Sequence, residues 1–149
     1  MMHSSQLSIP VFGAPNPAQK DTRRVAAYVV VTDNAGRIAA VQGKAGYFLP
    51  GGGALPGETP EQTIRREVLE ELAREVRLLY CIGEAVQHFE ADGRHYRMEA
   101  IFYAAEFSSE PDGTGEHELC WIEPAEVERA FYHQCHARAA GRVTGNATD

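Results

Sequence analysis

GGGALPGETPEQTIRREVLEELAREV, residues 51–76, is a glycine-rich loop feeding an amphipathic helix. Thr59 stands at the N-cap, Pro60 at the first helical position and Gln62 at the third, the arrangement of a capping box. At about 100° per residue, Ile64, Val68, Leu69, Leu72 and Val76 fall on one face. Glu67, Glu70 and Glu71, spaced i, i+3 and i+4, share another. Like charges at i,i+4 destabilise a helix by about 0.2–0.5 kcal/mol per pair, and a cation among the carboxylates removes that cost. Mg²⁺ takes oxygen ligands, typically a few carboxylates with waters and substrate phosphates. The glycines let backbone approach such an ion or a phosphate. Arg66, four residues before Glu70 and beside Glu67, can orient a carboxylate. Taken singly, a glutamate-rich face is a solvated face and a triple glycine a flexible loop. The joint spacing is what carries information.

Gly52, Glu58, Arg66-Glu67, the apolar Val68 and Glu70-Glu71 stand at fixed offsets. This stretch resembles the Nudix box, G-x5-E-x7-R-E-U-x-E-E-x-G-U with U a bulky aliphatic residue. Two positions depart from it: Ala73 replaces the last glycine and Arg74 the last aliphatic residue. The expectation is that the helix runs on for part of a turn and that Val76 takes the apolar role. YFLPGGG before the box, Ile82-Gly83-Glu84-Ala85 after it and Glu116–Trp121 near the end are similar to Nudix segments in the same order.

The resemblance implies an α/β/α sandwich with a mixed sheet and two main helices. It implies a hydrolase that cleaves a diphosphate bond in a nucleoside diphosphate linked to another moiety, nucleoside triphosphates included, with Mg²⁺ or Mn²⁺ clamping the phosphates. Carried over by position, Glu67, Glu70, Glu71 and the Gly51 carbonyl are the expected metal ligands, and Arg66 and Glu58 brace the loop. The catalytic base is then one of these box glutamates or, as often in family members, a residue on a later loop. Here Glu118 is preferred over Glu116, and His117 follows. The Ser108–Gly115 loop is expected to move and to deliver these residues. Arg24, Tyr47 and Phe48 are candidates for substrate contact. The other reading is a catalytically silent Nudix-fold module that binds nucleotide.

Outward from the box, Arg24–Thr32 reads as a central strand and Arg37–Gln42 as its hairpin partner across Asp33–Gly36. Arg77–Phe89 and His95–Phe107 read as strands joined by a turn at Asp92-Gly93. Glu118–Ile122 is a short strand, and a helix is expected from Pro124 to about Ala139. The domain is bounded at 23–140. Residues 1–22, with Pro10, Pro15 and Pro17, form a loose arm in which Ile9–Phe12 docks on the body, and residues 141–149 fray.

With 149 residues, 44% apolar and 23% charged, the chain reads as one ordinary globular domain. The longest apolar run, Val25–Val31, is far short of the roughly 18 residues of a membrane span. The opening MMHSSQLSIPVFG lacks a basic n-region and an apolar core, so no secretory signal is expected. A net charge of −7 argues against duplex nucleic acid as a partner. The expected partner is a small nucleotide derivative, with homodimerisation left open. Cys81, Cys120 and Cys135 have no zinc-ligand spacing and read as reduced thiols, which places the chain in the cytoplasm. The six histidines show no H-E-x-x-H, and no histidine metal site is expected.

Overall fold

A computed structural model describes residues 9–145; the start of the predicted arm and Asn146–Asp149 of the predicted tail lie outside the described residues. The strands are β1 (Val11–Phe12), β2 (Thr22–Val31), β3 (Ile38–Gln42), β4 (Tyr47–Phe48), β5 (Gly51–Gly53), β6 (Val76–Ala91), β7 (Arg94–Phe107) and β8 (Leu119–Ile122). The helices are α1 (Pro60–Leu72), α2 (Val127–Ala130), which follows a 3₁₀ turn at Pro124–Glu126, and α3 (Gln134–Thr144). Two sheets form, a mixed one in the order β1-β6-β7-β2-β5 and a smaller one in the order β4-β3-β8.

The apolar run in β2 has a partner on each face. Ala26, Tyr28 and Val30 pack with Cys135, Ala139 and Ala140 of α3, and Ala27, Val29 and Val31 with Ile64, Val68 and Leu72 of α1. Period-2 alternation therefore makes one strand the middle of an α/β/α sandwich. Burying Ile64, Val68 and Leu72 stabilises the seat of α1 by roughly 1.5–3 kcal/mol per side chain. No helix of the described residues is long and apolar enough to cross a membrane.

The predicted hairpin of β2 with β3 does not form. After one bridge, Thr32 to Ile38, β3 leaves for the smaller sheet. One edge of β2 is taken by β7, parallel, along its whole length, and the other by β5, antiparallel, at Ala26–Tyr28 and then by the Pro50 carbonyl, which accepts from the Val29 amide at 2.9 Å. The β6–β7 hairpin does form, with Asp92 and Gly93 at φ 53° and 75°. The predicted extension of α1 is also absent. Ala73 takes the left-handed conformation (φ 55°, ψ 36°), the chain reverses, and Val76 enters the core as the first residue of β6. Leu69, predicted on the buried face, is 54% exposed. The single helix predicted after Pro124 is broken in two, because Phe131 bridges Tyr47 and the Tyr132 amide donates to the Tyr47 carbonyl at 2.9 Å. Helical structure then continues to Thr144, beyond the expected Ala139. Within the arm, Val11 and Phe12 pair with Val86 and Gln87 as a parallel edge strand.

The 108–118 loop is tied down rather than free to swing. Its amides at Asp112, Glu116 and His117 donate to the carbonyls of Ala73, Glu70 and Glu71 at 2.8, 2.9 and 2.8 Å. A Cβ on Gly115 would lie 2.2 Å from the Glu71 carbonyl oxygen, so only glycine lets the loop rest on the helix end. Gly115→Ala is expected to lower unfolding free energy by about 1–3 kcal/mol, measured by urea denaturation. A variant as stable as wild type would show that the loop is not seated on α1.

Candidate active site

The capping box is present as predicted: Thr59 Oγ1 accepts from the Gln62 amide at 3.2 Å, and Gln62 Oε1 accepts from the Thr59 amide at 2.9 Å. This fixes the start of α1 and the phase at which its glutamates leave the helix. Arg66 then locks the loop to it. Its Nε donates to Glu58 Oε2 at 2.7 Å, and its Nη2 donates to Glu58 Oε1 at 3.0 Å and to the Gly53 carbonyl at 2.9 Å. Glu67 Oε2 and Glu70 Oε1 each lie 3.4 Å from Arg66 Nη1. Glu58 also accepts from the Leu55 amide and the Thr63 hydroxyl. The bonds from Arg66, helped by those donors, hold the Glu58 carboxyl down to about 2.

Glu67 and Glu71 face a cavity of about 420 Å³ that Gly51, Gly52, Arg24 and Phe48 also line. Burial pushes the Glu71 carboxyl up to about 8, and the charges of Glu67, Glu116 and Glu70 add to this against the Gly51 amide, which donates to Glu71 Oε1 at 3.1 Å. Burial likewise raises Glu67. A Cβ on Gly52 would lie 2.5 Å from Glu67 Oε2, so the glycine leaves open the space beside this carboxylate. Desolvated, mutually repelling carboxylates around an open cradle are a donor set that fits a hard divalent cation. Gly51 contributes its amide to Glu71.

The predicted residues do not all converge. Arg24 and Phe48 line the cavity with Glu67 and Glu71, whereas Tyr47 is not among the lining residues. Of the three base candidates, only His117 lines it; Glu118 does not, and Glu116 acts on Glu71 through its charge. Sequence reasoning missed the far wall, made by Phe89, Asp92 and Tyr96 of the β6–β7 hairpin and by His133 at the start of α3. The Asp92-Gly93 turn was the available signal, since it sets Phe89 opposite Tyr96, and their rings stack at 5.1 Å. Burial and the Arg24 charge hold His133 down to about 4. His136 is fully buried, and its Nδ1 accepts from the Leu49 amide at 3.1 Å.

The NUDIX domain family model matches residues 22–141. The chain belongs to the NUDIX family. Among similar solved structures, the MutT NUDIX hydrolase from Burkholderia pseudomallei is 26% identical, with a TM-score of 0.66 over 83% of this chain and 99% of that one. The dihydroneopterin triphosphate pyrophosphohydrolase from E. coli (20% identical, TM-score 0.68, covering 86% and 100%) shares the fold. So does the NUDIX hydrolase from Nitrosomonas europaea (19%, 0.66, 83% and 90%). A search of curated proteins found no match.

Both departures from the Nudix box have a structural account. Ala73 adopts the left-handed turn that a glycine would make more readily, at a strain of about 1–2 kcal/mol. Arg74 places its guanidinium 4.7 Å from the centre of the Phe107 ring, so it stacks where an aliphatic residue would pack.

The folded-state pKa of Glu71 stands above the ordinary 4.5, so the stability it contributes is fully present below about 4.5 and is lost as pH rises through about 8. His133 and His136 are held neutral by burial, with pKa values below 6.5, so their contributions change at lower pH. Metal-free protein is expected to melt at falling temperature between about pH 6.5 and 8, and Glu71→Gln to flatten that fall. Scanning calorimetry at several pH values checks this. A flat wild-type profile in that window contradicts the burial of an ionising Glu71.

Proposed function

We propose that this NUDIX protein is a metal-dependent hydrolase that cleaves the diphosphate bond of a nucleoside diphosphate linked to another group, nucleoside triphosphates included. The observation that carries the reading is the convergence of Glu67 and Glu71, with Glu70 beside them, on one cavity with Arg24 and the Gly51–Gly52 backbone. The designation of the E. coli relative as a triphosphate pyrophosphohydrolase supports it. A silent binding module has no use for this carboxylate set with Arg66, and the set is assembled.

Glu67, Glu70, Glu71 and the Gly51 carbonyl would hold Mg²⁺, or Mn²⁺ in its stead. When bound, the metal neutralises phosphate charge and lowers the pKa of water. Arg66 is a positioning residue, since it orients Glu67 and Glu70 while anchoring Glu58 and Gly53. Arg24, whose guanidinium lies 3.1 Å from where a Gly53 Cβ would sit, meets the phosphates at the mouth of the glycine loop. Phe48 offers a ring to the base, and Tyr47 supports that ring's strand. We assign the proton acceptor to Glu116 rather than Glu118. Glu116 acts electrostatically on Glu71, and its amide is bonded to the helix end that carries the ligands. The three free cysteines fit a reducing compartment, and we assign the protein to the cytoplasm.

A panel of nucleoside triphosphates, nucleoside diphosphate sugars, ADP-ribose and dinucleoside polyphosphates, assayed with Mg²⁺ for monophosphate release, tests the activity. Glu116→Gln is expected to lower kcat by about 10²–10⁴ with KM little changed, and Glu118→Gln by less than tenfold. Turnover of no member of the panel argues for the binding module. The reverse order of the two variants returns the base to Glu118.

A further inference from the structure

Side chains alternate across the β6–β7 hairpin. Phe89 and Tyr96, paired across it, face the cavity, so His88, Glu90 and His95 lie on the opposite face. Asp21, the residue before β2, reaches the same patch. One donor atom from each of Asp21, His88 and His95 lies within 4.8 Å of the other two. His95 is 4% exposed, and neither of its ring nitrogens has a hydrogen-bond partner among the described residues. Asp21 Oδ1 and His88 Nδ1 are likewise buried with no hydrogen-bond partner among the described residues. His95 Nε2 lies 3.4 Å from Asp21 Oδ1 and His95 Nδ1 3.6 Å from Glu90 Oε2, contacts that lack hydrogen-bond geometry. Four orphaned polar atoms in one place are not what a core histidine pair shows, because buried polar groups are almost always satisfied.

We propose that Asp21, His88 and His95 bind a Zn²⁺ ion, at a structural site separate from the carboxylates of α1. Two imidazole nitrogens and a carboxylate oxygen form a zinc donor set, whereas Mg²⁺ favours all-oxygen sites. Rotation of the side chains draws the donors in to bonds of about 2.0–2.2 Å, and water fills a fourth position. Glu90 is set to accept the second ring N–H of His95, and Asn16 Nδ2 steadies Glu90 Oε2 at 3.2 Å. The ion would clip the segment ahead of β2 onto the hairpin whose other face walls the cavity.

The test is a Zn²⁺ titration of the full chain against a chromophoric chelator, with excess Mg²⁺ to occupy the α1 carboxylates, paired with Co²⁺ absorption spectra and thermal melts. One Zn²⁺ per chain is expected, with a rise in melting temperature and a tetrahedral Co²⁺ spectrum free of thiolate bands. Asp21→Asn and His88→Gln, both at half-buried positions, are each expected to weaken Zn²⁺ binding at least tenfold. Glu90→Gln is expected to weaken it about tenfold while leaving the metal-free melt unchanged. The combined Glu67→Gln, Glu70→Gln and Glu71→Gln variant is expected to keep the ion. Failure of wild type to hold Zn²⁺ against the chelator overturns the proposal. So does binding that survives Asp21→Asn and His88→Gln but disappears with the three glutamates, or a Co²⁺ spectrum dominated by thiolate.

Discussion

The guanidinium of Arg66 is the joint on which the site depends. It ties Glu58 in the loop and the Gly53 carbonyl at the end of β5 to the helix that carries Glu67 and Glu70. An exposed ion pair contributes little, but this one is half-buried, bidentate and shared with a backbone oxygen, which fixes direction as well as distance. Loop and helix are thereby held in one relation. Because β5 is hydrogen-bonded to β2, that relation extends to the middle of the sandwich.

The other end of α1 is controlled differently. The helix has no basic residue in its last turn, and its final carbonyls accept from the 108–118 loop instead. Glu70 and Glu71 thus sit at the negative end of the helix dipole, where carboxylates are disfavoured and a cation is favoured. Burial, mutual repulsion and the dipole all raise the energy of the ionised cluster, and a divalent ion offsets all three. The same loop carries Glu116, so the device that caps the helix also brings a further negative charge to bear on Glu71.

The sequence signals were local, and so was their reach. Thr59, Pro60 and Gln62 announced the start of α1, and the 67/70/71 spacing announced its acidic face, because both depend on residues within one or two turns. The turn at Asp92-Gly93 was legible for the same reason. What a turn cannot say is which edges of a strand are already occupied. Asp33–Gly36 looks like a hairpin turn, yet β7 and β5 occupy both edges of β2, and β3 departs. The break at Phe131 comes from Tyr47, 84 residues earlier in the chain. The cavity's far wall joins Phe89 and Tyr96 to His133, and the histidine cluster joins Asp21 to a distant hairpin. Neither has a spacing to read. The left-handed Ala73 has no local signal, because its strain is met by the amide of Asp112, a residue of a distant loop, which donates to its carbonyl.

Mn²⁺ binding to the full chain, followed by the loss of the free-ion electron paramagnetic resonance signal, bears most directly on the carboxylate cluster. Wild type should bind at least one more Mn²⁺ than the protein carrying Glu67→Gln, Glu70→Gln and Glu71→Gln together. Titrations that superimpose for the two proteins would contradict a metal centre at the end of α1.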